Sequence, residues 1–179
     1  ISRRGIARAL GAAAALVGAG SAVRAQTAST ALAPPADDRL ELIELMARYA
    51  WAYDTADAAA LAATFTADGE LEVFGNVLAG GALGFAGFFE QARAMRGDHG
   101  WQHLADHHLF REYDGRSCTI ASYYTMAQGD AAGGNVAMRA MGYYLSRCTR
   151  TPAGWRFARR SVVRWNGKDA PFLRSFALS

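Results

Sequence analysis

Apolar and polar positions change their period along the chain, and the changes divide it. Asp37 and Asp38 precede a run in which Leu40, Ile43, Met46, Ala47, Ala50 and Tyr53 recur at spacings of three and four. That period predicts an amphipathic helix, and acids at its start complement the helix dipole. Asp54 ends the same apolar stripe, four positions after Ala50 and seven after Ala47. A solvated helix does not require an acid there. Asp57 directly precedes the alanine-rich run 58–63 and is the better cap for a second, short helix. Asp54 is therefore left without an obvious structural task and becomes a candidate functional group.

The next stretch reads as a turn at 65–69, an alternating strand at 70–74 and a second turn region at 75–81 with a short extended piece. Residues 85–95 form a helical pattern with Phe85, Phe88, Phe89 and Ala92 inward, ended by Gly97-Asp98. From Trp101 the pattern is one of long strands, at 101–113, 116–128, 135–150 and 155–165. Asp114-Gly115 is a strong signal for a two-residue hairpin loop. Helices followed by a long antiparallel meander predict an α+β fold: a cone-shaped curved antiparallel sheet wrapped around N-terminal helices, whose mouth can hold a small ligand.

The turns give an expected register. With Asp114 and Gly115 as the loop, His103 faces Met126, Ala105 faces Tyr124 and Leu109 faces Ile120. Placing Cys118 opposite Cys148 sets Tyr124 against Gly142 and Met126 against Ala140. Placing Arg150 opposite Trp155 sets Gly142 against Val163 and Ala140 against Trp165. Side chains alternate between faces, so His103 and His107 share the inner face and His108 points away. The inner face then carries His103 and Tyr124 among the small residues Ala105, Ala140 and Gly142. Met126, Met138, Tyr144 and Trp165 bound it, and Phe74 adds to this expected substrate-binding set. The other face holds Arg139, Arg147, Arg156, Arg160 and Arg164, and reads as solvent or a subunit interface. Cys118 and Cys148 are either a cross-strand disulfide or two separate buried thiols.

Composition adjusts the picture at the N-terminus. The formal net charge is +3, but Arg3, Arg4, Arg8 and Arg24 precede the first acid at Asp37, and without them it is −1. Such a near-neutral domain argues against a nucleic-acid partner. Paired arginines, a modest Ala/Leu/Gly/Val run and Val23-Arg24-Ala25 resemble a twin-arginine export signal over residues 1–25. The expected organisation continues with a linker at 26–37, one domain at 38–166 and a tail at 167–179. The expected location is periplasmic or secreted, with no stable membrane insertion after signal removal.

All four histidines lie between 99 and 108. His99, His103 and His107 would share one face of a helix at a metal-binding spacing. On a strand, His99 and His107 are about 27 Å apart at ~3.4 Å per residue. Gly97, Gly100 and the Asp114-Gly115 hairpin favour the strand, so neither a metal nor a cofactor is expected.

The stretches Leu45 to Asp57, Phe65-Thr66-Ala67-Asp68-Gly69, Gln102-His103 and Gly154-Trp155-Arg156-Phe157 resemble the SnoaL-like branch of the NTF2-like superfamily, over roughly 38–166. Scytalone dehydratase and the hexachlorocyclohexane dehydrochlorinase are similar in the relevant places. The resemblance implies that Asp54, after the first helix, and His103, opening the long strand, work as a catalytic pair. Tyr53-Asp54 matches the dehydratase's Tyr-Asp. Where the dehydratase has a second histidine on the following strand, this chain has Tyr124. The dehydrochlorinase's lysine near the acid has no counterpart, since Lys168 is the only lysine.

The residues then suggest a mechanism. Asp54 holds one nitrogen of His103, and the other removes a proton beside a carbonyl or leaving group. Tyr53 and Tyr124 hold an oxyanion or protonate a departing hydroxyl. The expected function is a cofactor-independent lyase or isomerase for a small cyclic apolar or aromatic compound, in a homodimer or homotrimer. The alternative is a non-catalytic small-ligand-binding or assembly domain of the same fold.

Overall fold

The computed structural model describes residues 33–167, so residues 1–25, expected as an export signal, and most of the expected tail lie outside the described residues. The chain forms α1 (Ala36–Asp54), α2 (Ala58–Ala63), β1 (Phe65–Val73), β2 (Asn76–Gly80), α3 (Gly81–Arg96), β3 (Gly100–Arg111), β4 (Ser117–Gly129), β5 (Ala137–Thr151) and β6 (Gly154–Arg164). The six strands make one curved, unclosed sheet in the order β2-β1-β6-β5-β4-β3, antiparallel except where β1 runs parallel to β6. The helices pack within its curve, as the α+β expectation requires. No helix among the described residues is long and apolar enough to cross a membrane.

α1 differs from its expected orientation in a way that creates the site. Its core face is Leu42, Leu45, Met46, Tyr49 and Ala52, packed with Phe65, Phe85, Ile120, Trp155 and Phe157. Leu40 and Ile43 are exposed by 65% and 39%, and Ala47 is exposed too. The stripe read from the sequence therefore meets the core at Met46 and Tyr53, while Ile43, Ala47 and Ala50 form a second apolar face beside it. Asp57 caps α2, accepting from the Ala60 N–H at 2.8 Å. Phe85, Phe88, Phe89 and Ala92 of α3 are buried as expected, and the turn read at 65–69 is instead the start of β1.

The register agrees with expectation in the middle of the sheet and departs at three bulges, one of them between Met126 and Ala127, where Ala127 rather than Gln128 pairs with Met138. His103 faces Met126 and Ala105 faces Tyr124, but Leu109 faces Ala121, not Ile120, because the ladder shifts between Asp106 and Leu109. Cys118 faces Cys148, Tyr124 faces Gly142 and Met126 faces Ala140. A further shift, between Arg147 and Cys148, pairs Gly142 with Arg164 rather than Val163. One residue of slip reverses every later side chain. Gly142 lies under the Tyr124 ring, and a Cβ there would meet the Val163 carbonyl oxygen at 2.0 Å. Only glycine admits that approach.

Arg160 shows the consequence of the β6 bulge. Expected on the outer face, it is fully buried. Its guanidinium carbon lies 3.7 Å from the Tyr144 ring centroid and 4.2 Å from that of Tyr49. Nη1 lies 2.9 Å from both Ser146 Oγ and Met46 Sδ. Aromatic faces replace the carboxylate that a buried cation ordinarily needs.

At the narrow end, Asp38 in the first turn of α1 accepts from the Tyr113 hydroxyl and from Arg150. The Arg150 hydrogen bond holds the Asp38 carboxyl below its ordinary value. A carboxyl lowered in the folded state stabilises above the ordinary carboxylate range, and that contribution is lost as pH falls through the folded value. Asp38→Ala is expected to lower unfolding free energy by about 1–3 kcal/mol at pH 7 in urea titrations. The gap between variant and wild type should narrow below about pH 4.

Candidate active site

Asp54 closes α1, and His103 is the fourth residue of β3, at the sheet edge. The carboxylate engages this one histidine twice. Oδ2 accepts the His103 main-chain N–H at 2.8 Å, and Oδ1 lies 2.6 Å from Nδ1. Both side chains are mostly buried, 13% exposed for His103 and 14% for Asp54. A carboxylate only accepts, so Nδ1 carries the proton and donates. Nε2 keeps its lone pair, which makes it the basic atom of the ring.

Neighbouring groups fix this geometry. Asp54 stands at the negative end of the α1 dipole, where a carboxylate is disfavoured. Arg96, in the last turn of α3, offsets this by donating to the Asp54 carbonyl oxygen at 2.5 Å. Tyr53 meets the His103 ring edge-on at 4.9 Å and stacks on Trp101 at 6.0 Å. Burial holds the Tyr53 phenol well above its ordinary value, so it stays protonated.

A groove of about 470 Å³ opens above the pair, between α1 and β3. One wall is the second apolar face of α1: Ile43, Met46, Ala47, Ala50 and Trp51, ending in Asp54. The other runs from Trp101 to Ala105 with His103 at its centre, and includes His108. The volume suits a small organic molecule, and the walls are mainly apolar and aromatic with few polar groups.

Of the expected pocket face, only the part with His103 and Ala105 lines this groove. Tyr53 touches the His103 ring, but neither it nor Tyr124 is among the lining residues. Tyr124 is buried and stacks on Tyr144 at 4.6 Å. The five residues expected to bind substrate are dispersed. Tyr144 is buried beneath Arg160. Met126 is half-buried opposite His103, and Met138 is 65% exposed. Phe74 is exposed, with the Arg164 guanidinium 4.2 Å from its ring centroid. Trp165 stacks on Tyr123 at 4.9 Å. The bulge in β6 turns Trp165 to the outer face, which removes it from the expected set.

The bulge in β3 reverses two histidines. His107 adopts φ 51°, a left-handed conformation uncommon outside glycine. Its side chain is 74% exposed and lies 2.9 Å from Asp106 Oδ1. His108 turns inward instead, with Nδ1 2.9 Å from Ser122 Oγ. His99 lies 3.2 Å from the Gly129 carbonyl oxygen. Among the described residues, no group of three or more His, Cys, Asp or Glu converges as a metal site would require. Cys118 and Cys148 are separate buried thiols. Burial pushes the Cys118 thiol up to about 11 and that of Cys148 higher still, so both stay protonated and unreactive.

Comparison with known proteins places this geometry in context. Residues 34–161 match the model of the SnoaL-like domain. An NTF2-like protein with a cystatin-like fold from Novosphingobium aromaticivorans is 28% identical, with TM-score 0.65, over 80% of this chain and 90% of its own. Rv3472 from Mycobacterium tuberculosis, a protein of unknown function, is 29% identical with TM-score 0.62, over 74% of this chain and 76% of its own. A candidate scytalone dehydratase from Novosphingobium aromaticivorans DSM 12444 shares the fold at 17% identity and TM-score 0.60, over 75% of this chain and 99% of its own. No curated protein sequence matches the chain significantly.

If the groove receives an apolar ring, filling it from α1 should abolish binding without unfolding the helix. Ala47→Phe is expected to weaken calorimetric binding of 2-naphthol by about tenfold or more, with the circular dichroism spectrum unchanged.

Proposed function

The chain belongs to the SnoaL-like family, and we propose that within it the protein is a cofactor-independent lyase or isomerase for a small cyclic apolar or aromatic compound. The observation that carries this reading is the double engagement of His103 by Asp54 beside an apolar groove. An apolar groove alone would suit a binding protein. A histidine whose Nδ1–H is held by a carboxylate, with Nε2 left as acceptor, suits proton abstraction.

The reaction begins with a ring bound between Trp51 and the β3 wall, a C–H bond directed at His103 Nε2. Nε2 takes the proton as the C–H electrons move toward an adjacent carbonyl or leaving group. The imidazolium that forms is stabilised by Asp54, which is already in place and need not reorganise. Returning the proton to another carbon gives isomerisation; expelling a hydroxyl gives dehydration. The aromatic neighbours Tyr53 and Trp101 restrict water behind the imidazole.

The test is a screen of hydroxylated cyclic ketones and cyclic enones for elimination or double-bond migration. For any compound turned over, His103→Gln and Asp54→Asn should each lower kcat by about 10²–10⁴-fold, with ligand binding and thermal unfolding nearly unchanged. Undiminished turnover in folded His103→Gln would assign the groove to ligand binding alone.

We propose further that residues 1–25 direct export and that the mature domain works in the periplasm or outside the cell as a homodimer or homotrimer. Expression of the full chain in a twin-arginine-competent bacterium should yield a periplasmic form beginning near Gln26. Size-exclusion chromatography with light scattering should give twice or three times the chain mass.

A further inference from the structure

Arg160 is a fully buried cation, at 0% exposure, and the base mechanism does not use it. A guanidinium keeps its charge at any accessible pH. Taking that charge out of water is costly unless an anion and hydrogen bonds compensate. The acids nearest to hand are engaged elsewhere: Asp38 with Arg150, Asp54 with His103, and Glu70 and Glu72 with Arg159. Arg160 Nε and Nη2 are buried and have no hydrogen-bond partner among the described residues.

The contacts it does make leave its donors underused. The rings of Tyr144, Tyr49 and Phe157 lie 3.7, 4.2 and 4.7 Å from the guanidinium carbon. Their π faces favour a cation but do not saturate its N–H groups. Nη1 is engaged, 2.9 Å from Ser146 Oγ and 2.9 Å from Met46 Sδ, and a thioether sulfur is a weak acceptor. Buried donors left without partners call for one that is missing, such as an ion.

Met46 is the link to the groove. It lines the groove on one side and touches Arg160 on the other. Its side chain is unbranched, with three rotatable bonds, and adapts its shape at low cost. His108, also in the groove lining, has its pKa lowered first by burial and next by the Arg160 cation. The charge is therefore felt in the groove although Arg160 is hidden from it.

We propose that Arg160 is the anion-binding group of the groove, and that its ligand is a cyclic or aromatic carboxylate. The ring occupies the groove, Met46 turns aside, and the carboxylate replaces its sulfur against the guanidinium. A carboxylate brings a charge and two coplanar oxygens, which suit the fork of guanidinium N–H groups. A neutral hydroxyl or carbonyl brings one oxygen and no charge. The need for such a ligand accounts for a cation in the core, where an apolar side chain of similar volume would pack at less cost. This rests on the groove being the ligand site, as proposed above, and not on His103 being a base.

The probes are 2-naphthoate, charged at pH 7, and 2-naphthol, a neutral compound of the same ring system. Calorimetry on the wild type should show 2-naphthoate binding about tenfold or more tightly than 2-naphthol. Arg160→Met should remove that preference, with a thermal midpoint equal to or above that of the wild type. A crystal structure of the wild type with 2-naphthoate should place the carboxylate on Arg160 with the Met46 side chain displaced. That structure decides the matter even if Arg160→Met fails to fold. Equal affinities of the wild type for the two probes overturn the proposal. So does a preference that persists in folded Arg160→Met, or a carboxylate bound away from Arg160. If 2-naphthol binds in those cases, the groove remains a ligand site and the function proposed above survives. If neither probe binds, the proposal and the groove's assignment as the ligand site fall together.

Discussion

The groove depends on one carboxylate joining two distant parts of the chain. Asp54 closes the first helix, and His103 lies on the edge strand 49 residues later. The two hydrogen bonds between them set the ring's tautomer and draw β3 against the C-terminal end of α1. Because Oδ2 takes a main-chain N–H, the contact fixes the strand as well as the side chain. The unclosed sheet edge becomes a wall with a defined spacing from the helix, and the groove is the space left between them.

That arrangement asks two tasks of α1 at once. Leu42, Leu45, Tyr49 and Ala52 hold the core, while Ile43, Ala47, Ala50 and Asp54 face the groove. The small alanines leave volume for a ligand, and Asp54 terminates the wall beside His103. The buried Arg160 guanidinium, set among aromatic rings beneath Met46, adds a fixed positive charge below the site. Its field disfavours a charged His108.

The sequence made the α+β class, the Asp54–His103 pair and the central registers legible. Helical period, strand period and hairpin turns are local properties that tertiary packing reinforced here. The stripe at Ile43, Ala47 and Ala50 is legible too, but its period does not say that it lines a groove. A helix with apolar residues on two adjacent faces has two partners, and the second stripe at Leu42, Leu45 and Tyr49 was the signal for that. The bulges were harder to see. Asp106-His107-His108 puts three polar residues in succession inside a strand, and strict alternation cannot serve such a run. That break in the pattern was the available hint that His107 and His108 exchange faces. Nothing comparable marks the shift in β6, so strict alternation puts Trp165 on the wrong face and Arg160 on the outer one.

The central claim is that His103, held by Asp54, removes a proton from carbon. Hydrogen–deuterium exchange into cyclic ketones in D₂O, read by mass spectrometry, tests this without requiring the natural product to be known. Wild-type protein should accelerate exchange at carbons beside the carbonyl above the buffer rate for ketones that bind the groove, and folded His103→Gln should not. Equal exchange by the two proteins, with binding retained, would contradict the account.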